Sequence, residues 1–196
     1  MIAIGSDHGG YKLKEEIKKY LEEKEIEYID CGTFDEESVD YPEIAKAIAL
    51  EVQGKECDKG IAICRSGIGM SIVANKFKGI RCAKCNDEEE AKYSRMHNDA
   101  NILALGADYI ETSEAIRIVR MWIATEFEGG RHEERIKLIN EIEKEIKFFE
   151  GSMDAATKGG FEHSMLKEIN EQDKVFKDTV NYYFDGTCLL YTSPSP

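Results

Sequence analysis

Five short apolar runs alternate with longer amphipathic stretches over the first three quarters of this 196-residue chain. The runs are residues 2–4, 28–31, 61–64, 79–83 and 102–105. No two of them are joined by a short hairpin turn. This order predicts right-handed crossovers and an α/β fold with a parallel sheet that is covered on both faces.

The stretches between the runs predict helices. Leu13, Ile17, Tyr20 and Leu21 share one face of a helix over about 11–24, with lysines and glutamates on its other sides. Further helices are expected to begin at residues 40–42, after the glycine loop at 64–69, at 86–89 and at about 114, the last ending near 126. A long amphipathic helix follows residues 128–131.

The stretch 61–74, IAICRSGIGMSIVA, joins a buried strand to a helix through a glycine loop. Free backbone N–H groups and the helix dipole favour an anion above such a loop, and Cys64 offers a nucleophile or a base beside it. The alternative is a plain glycine turn with a buried cysteine. Parallel sheets bind ligands at the carboxyl ends of their strands, which would place Asp7, His8, the Cys64 loop and the loop near Asn86 on one rim.

Composition excludes several classes of partner. A net charge of −13 argues against nucleic acid as a partner. No run approaches the roughly 18 apolar residues that a membrane-spanning helix needs. The N-terminus lacks the pattern of a signal peptide, and six scattered cysteines predict free thiols in a reducing cytoplasm. We interpret Cys82 and Cys85 as one end of a strand and not as a metal or redox site.

Five motifs, in order, carry a family resemblance: GSDHGGYKLKE, DYPEIA, CRSGIGMSIVANKFKGIRC, HNDANILALGA and EFEGGRHEERI. They resemble the ribose-5-phosphate isomerase B family, within the ribose/galactose isomerases, over residues 1–147. The resemblance implies a Rossmann-like three-layer α/β/α sandwich with a five-stranded parallel sheet. It also implies interconversion of ribose 5-phosphate and ribulose 5-phosphate without metal or cofactor, by a homodimer, with a tetramer as the alternative.

The resemblance also assigns residues. Catalytic roles fall on Cys64, Ser66, His97 and Asp7, and substrate or phosphate contacts fall on His8, Tyr41, Gly67, Gly69, Asn98, Arg131 and Arg135. Cys64 would be the base, because a helix N-terminus and nearby cations favour the thiolate. In the family, the residues corresponding to His97, Asn98 and the two arginines enter the site from the partner subunit. We interpret Asp99 and Asn101 as loop-stabilising residues and His132 as structural.

Arg65 departs from the family, which usually has glycine after the cysteine. If the backbone there has a positive φ, arginine would be strained by about 1–2 kcal/mol. Its side chain would otherwise either block the pocket or lie at the rim, where it could favour the Cys64 thiolate or contact phosphate. Two other functions stay open. The same loop and arginines would serve isomerisation of allose or galactose 6-phosphate, and Arg65 makes non-catalytic binding of sugar phosphates plausible.

The remainder, 148–196, differs in character. Its residues 154–172 resemble a segment of glucosamine–fructose-6-phosphate aminotransferase, and its end, CLLYTSPSP, resembles translated vector sequence. We interpret it as an appended helical or disordered tail, chimeric in origin, with no domain of its own. The alternative is a natural extension that packs on the dimer.

Overall fold

The computed structural model describes the backbone of residues 1–149 and the side chains of residues 1–142. The chain divides into two units, Met1–Glu143 and Lys144–Pro196. The sheet and all candidate site residues belong to the first unit. The predicted tail, apart from its first two residues, lies outside the described residues.

Five parallel strands form one sheet, as predicted. In chain order they are β1 (Ile2–Ser6), β2 (Tyr28–Asp30), β3 (Lys59–Cys64), β4 (Cys82–Lys84) and β5 (Ile102–Gly106). Their order across the sheet is β2-β1-β3-β5-β4, so β3 lies in the centre between β1 and β5. The central strands are the most buried, in agreement with a sheet covered on both faces.

Six helices connect or follow the strands. They are α1 (Tyr11–Glu23), α2 (Tyr41–Gln53), α3 (Ile68–Ala74), α4 (Glu88–Asn98), α5 (Thr112–Ala124) and α6 (Arg131–Phe149). The predicted starts of α2 and α4 are confirmed, because Pro42 lies in the first turn of α2 and the Asp87 side chain accepts a hydrogen bond from the Glu90 N–H. None of the described helices is long and apolar enough to cross a lipid bilayer.

Alternate strand residues face two separate cores, which confirms the three-layer sandwich. Ile61 and Ile63 of β3 pack in a cluster that includes Trp122 of α5. Ala62 and Cys64, which point the other way, pack in a cluster that includes residues of α2 and α3. The period of two along β3 thus directs the Cys64 side chain to the α2–α3 side of the sheet.

Several predicted boundaries were wrong by two or three residues, among them the end of β1 at Ser6 and the start of β3 at Lys59. The fourth strand begins at Cys82, not at residue 79, because Gly79 has φ +76° and Ile80 closes a turn onto the Phe77 carbonyl. Helix α5 begins at Thr112 and ends at Ala124, two residues earlier at each end than expected. Shifts of this size are ordinary at the ends of elements.

Lys14 is fully buried on α1, although the sequence pattern suggested an exposed lysine. Its Nζ donates to both Asp30 carboxylate oxygens at 2.8 Å and to the Thr33 carbonyl at 2.5 Å. Burial alone would raise the pKa of Asp30, but hydrogen bonds from Lys14, Lys18 and the Gly32 N–H outweigh it and lower that pKa. This network fixes the loop after β2 against the end of β1.

Candidate active site

Cys64 is the last residue of β3 and is only 5% exposed. Its Sγ accepts a hydrogen bond from the Gly67 N–H at 3.1 Å. Gly67 precedes α3 with φ +74°, and a methyl group there would lie 2.9 Å from the Leu105 carbonyl carbon. Glycine is therefore needed at this position on two counts, the positive φ and the close approach of the Leu105 backbone.

The loop after Cys64 lies beneath Tyr41. A methyl group at Gly69 would lie 2.7 Å from Tyr41 Cε2, so the half-exposed tyrosine ring covers the first turn of α3. The Ser66 hydroxyl accepts a hydrogen bond from the Ile68 N–H at 3.3 Å. The predicted loop residues and Tyr41 are therefore brought together around the start of one helix.

Asp7 and His8 follow β1 on the same rim. The Asp7 N–H donates to the Ile63 carbonyl at 3.1 Å, and the buried Asp7 carboxylate accepts from the Gly10 N–H at 2.9 Å. His8 Nδ1 accepts from the Val39 N–H at 3.3 Å, which leaves Nε2 to carry the proton of the neutral ring. We refer to Asp7, His8, Tyr41 and residues 64–69 as the carboxyl-edge group.

His97 and Asn98 end α4, just before β5 begins, and they therefore lie at the amino edge of the sheet. The loop 125–130 is attached to this edge, because the Glu128 N–H donates to the Met96 carbonyl at 3.1 Å. Arg131 and Arg135 follow in the first turns of α6, four residues apart and both exposed. We refer to His97, Asn98, Arg131 and Arg135 as the amino-edge group.

His132 is buried next to His97. The two imidazole rings stack with their centroids 4.2 Å apart, and Glu128 Oε2 lies 3.6 Å from His97 Nε2 and 3.7 Å from His132 Nε2. Arg131 Nε donates to His132 Nε2 at 3.3 Å. Burial, His97 and Arg131 together lower the pKa of His132, so its ring is neutral at pH 7.

His97, Glu128 and His132 place potential metal-ligating atoms within 4.8 Å of one another. The two rings, however, are within 8° of parallel. Imidazole nitrogens bind a metal along lone pairs in the ring plane, and two stacked planes direct those lone pairs side by side and not at one point. The stacked arrangement therefore does not suit chelation of a metal ion.

The two groups do not meet within one chain. Five residues of β5, at about 3.3 Å each, separate the two edges of the sheet by about 16 Å. Helix α4 carries the chain from the carboxyl edge, after β4, to the amino edge, before β5, which is why His97 and Asn98 are remote from Cys64. A site with residues of both groups needs two chains.

The other described cysteines are poor candidates for a base. Burial raises the pKa of the Cys31 and Cys82 thiols to about 12 and that of Cys85 to about 11, and it raises the pKa of Cys57 as well. All five described cysteines are free. Cys82 and Cys85 lie at the start and just beyond the end of β4, as interpreted from the sequence.

Arg65 is not strained, which excludes one of the alternatives drawn from the sequence. Among the described residues other than glycine, a positive φ occurs only at Glu25, Lys55 and Asp99. The Arg65 side chain is 68% exposed at the rim, and its NH1 lies 3.7 Å from Asp108 Oδ2. The structure therefore favours the rim position.

A sequence profile of the family described as Ribose/Galactose Isomerase matches residues 2–139, which is most of the described chain. The chain belongs to the ribose/galactose isomerase family. This isomerase is 47% identical over 143 residues to ribose-5-phosphate isomerase B of Escherichia coli (strain K12), a match that covers 73% of this chain and 96% of the relative.

Solved structures agree with this placement of the isomerase. It is 52% identical to ribose-5-phosphate isomerase B of Clostridium thermocellum, with a TM-score of 0.73, over 74% of this chain and 98% of that one. It is 39% identical to ribose-5-phosphate isomerase B of Mycoplasma genitalium, solved with bound ribulose-5-phosphate, with a TM-score of 0.70 over 74% and 96% of the two chains.

Three side chains near the candidate site of this isomerase were not singled out from the sequence. Glu128 contacts both stacked histidines, Tyr93 lies 4.9 Å from the His97 ring, and Asp108 faces Arg65. Glu128 and Asp108 lie within or just beyond quoted motifs, but a motif does not show which of its side chains point inward. Asp99 and Asn101 do stabilise loops, since Asp99 pairs with Arg81 and Arg95, and Asn101 accepts from the Arg81 N–H.

Proposed function

We propose that this chain interconverts ribose 5-phosphate and ribulose 5-phosphate as a homodimer with two shared active sites. The observation that carries this proposal is Cys64 at the carboxyl edge, with its sulfur held by the Gly67 N–H and with Asp7 and His8 on the adjacent strand end. The family membership and the names of the similar proteins support the substrate.

The reaction needs a base, an oxyanion site and a group that opens the sugar ring. Cys64 takes the proton from C2 of the open-chain aldose and returns it to C1, while the proton on O2 moves to O1. The N–H groups of Ser66 and Gly69 stabilise the enediolate oxygen, because those of Gly67 and Ile68 already donate to Cys64 Sγ and to the Ser66 hydroxyl. His97 and Asp7 open the furanose ring, one accepting a proton and the other donating one.

The distance between the two groups supports the proposed dimer. A second copy must bring its amino-edge group to the carboxyl-edge group of the first, and twofold symmetry then gives two equal sites. Arg131 and Arg135 lie on one helix face, where two guanidinium groups can bind one phosphate. A tetramer would keep the same pair of shared sites.

Other features of the chain fit this proposal. The five free thiols suit a reducing cytoplasm, and the net charge of −13 disfavours nucleic acid as a partner. The proposed chemistry assigns no step to a metal or cofactor. No membrane is needed for a reaction of a small charged sugar phosphate.

The test is turnover of ribose 5-phosphate by the purified full-length chain, with solvent deuterium followed into the product. We expect ribulose 5-phosphate and deuterium at the exchanged carbon. Allose 6-phosphate and galactose 6-phosphate, assayed in parallel, should have lower kcat/KM. Faster turnover of a six-carbon substrate would change the substrate assignment, and phosphate-sugar binding without turnover would reduce the chain to a binding protein.

A further inference from the structure

Arg65 occupies the centre of the carboxyl edge. It follows Cys64 on the middle strand, and the backbone there continues the pairing with the chain after β5, because the Asp108 N–H donates to the Arg65 carbonyl at 3.0 Å. The stem of Arg65 runs in the other direction, over Gly9, where an added methyl group would overlap its Cγ. The side chain thus connects the ends of β1, β3 and β5.

The Arg65 guanidinium is only loosely paired. Its NH1 lies 3.7 Å from Asp108 Oδ2, beyond a good hydrogen bond, and the two side chains are 68% and 50% exposed. Exposed pairs of this kind contribute little to stability. Among the described residues, no hydrogen-bond acceptor takes up the remaining guanidinium donors, so they are available to a ligand.

We propose that Arg65 is a substrate-binding residue that contacts the phosphate group of the sugar phosphate, and that Asp108 holds the guanidinium when no substrate is bound. This proposal rests on the proposed function, because it concerns the same site. A guanidinium binds two oxygens of a phosphate at once, and a dianionic phosphate competes well with one distant carboxylate. Arg65 would then act from one chain while Arg131 and Arg135 act from the other.

The position of Arg65 favours contact with the phosphate over an effect on the Cys64 thiol. Gly9 lies between His8, which the resemblance assigns to substrate, and Gly10, the N-cap of α1. The first turn of α1 carries no acidic side chain, so the helix dipole adds positive potential beside the guanidinium. Cys64, in contrast, points to the α2–α3 side of the sheet, away from the Gly9 backbone that Arg65 crosses.

The experiment compares Arg65→Gln and Arg65→Lys with the parent in the full-length protein. We expect Arg65→Gln to raise both the KM for ribose 5-phosphate and the inhibition constant of inorganic phosphate about tenfold or more, while kcat changes less than threefold. Arg65→Lys keeps the charge and should recover part of the loss. Asp108→Asn removes the competing carboxylate and should lower the inhibition constant of inorganic phosphate.

Arg117→Gln is the matched control, because Arg117 is also an exposed arginine paired with acids, Glu88 and Glu114, on α5. It should leave all three constants unchanged. The proposal is overturned if Arg65→Gln keeps the parental KM and inhibition constant, or if it changes only kcat and the pH profile, which would indicate an effect on the Cys64 thiolate. If the parent does not isomerise any sugar phosphate, the proposed function fails. The rise in Tm caused by inorganic phosphate would then still test Arg65 by itself.

Discussion

The imidazole rings of His97 and His132 lie face to face, 4.2 Å apart and 8° from parallel, with the Glu128 carboxylate within 3.7 Å of both. A second positive charge on such a pair is unfavourable, and burial, His97 and Arg131 together lower the pKa of His132. His132 therefore lies where it fixes the orientation of the His97 ring.

This pair should make stability depend on pH. Because folding lowers the pKa of His132, the unfolded chain binds more protons just below pH 6.5, and stability present above that pH is lost as the pH falls. His132→Asn should therefore lose less stability than the parent between about pH 7.5 and pH 5.5. Urea unfolding midpoints across this range measure the difference.

Glu128→Gln should have the opposite effect on the pH dependence of stability. The carboxylate raises the pKa of His132, so its removal should lower that pKa further and steepen the loss of stability in acid. If His132→Asn and the parent lose stability equally, the buried ring does not titrate as described.

Cys64→Ala should abolish isomerisation while fold and phosphate binding persist, because the thiolate is needed only for proton transfer. Solvent deuterium incorporation at C2 of ribose 5-phosphate is the measurement. Cys57→Ala is the control, since Cys57 is a buried cysteine with a raised pKa away from the carboxyl edge. Persistent exchange in Cys64→Ala would remove Cys64 from the role of base.

Arg131→Ala and Arg135→Ala should each weaken ribose 5-phosphate binding by about 1.5–3 kcal/mol, as expected for hydrogen bonds to a charged group. Titration calorimetry on an exchange-inactive Cys64→Ala background measures this without turnover. Lys137→Ala removes a neighbouring α6 cation that pairs with Glu133 and Glu134, and it should have no effect. Unchanged affinity in both arginine variants would place the phosphate elsewhere.

Deleting residues 151–196 should leave activity and most of the stability unchanged, because the sheet and every candidate site residue precede the deletion. A paired thermal melt and isomerase assay tests this. A deeper deletion, from residue 137, also removes Ile139 and Ile142, which line a cavity of about 390 Å³ with Ile80 and Ala100, and it should lower the Tm. A Tm several degrees lower after the shorter deletion would show that the tail is integral to the domain.

Local patterns were sufficient for the sheet, its helices and the glycine loop, because each depends on residues close together in sequence. Pro42 and Asp87 marked two helix starts where the structure has them, whereas α3 begins at Ile68, within the glycine loop and two residues earlier than expected. The burial of Lys14 could not be predicted in this way, since it depends on Asp30 and Thr33, sixteen and more residues away. The stacking of His97 on His132 likewise depends on a loop that brings α6 back to the end of α4.

The placement of the two site groups at opposite edges of the sheet has a consequence for mixtures of two variants. In the proposed dimer, Cys64→Ala in both chains, or Arg131→Ala in both chains, damages both sites. In a mixed dimer, one site receives both changes and the other receives neither. The two variants, unfolded together and refolded as an equal mixture, should thus regain intact sites equal to about a quarter of the parental number, and their activity should exceed that of either variant alone.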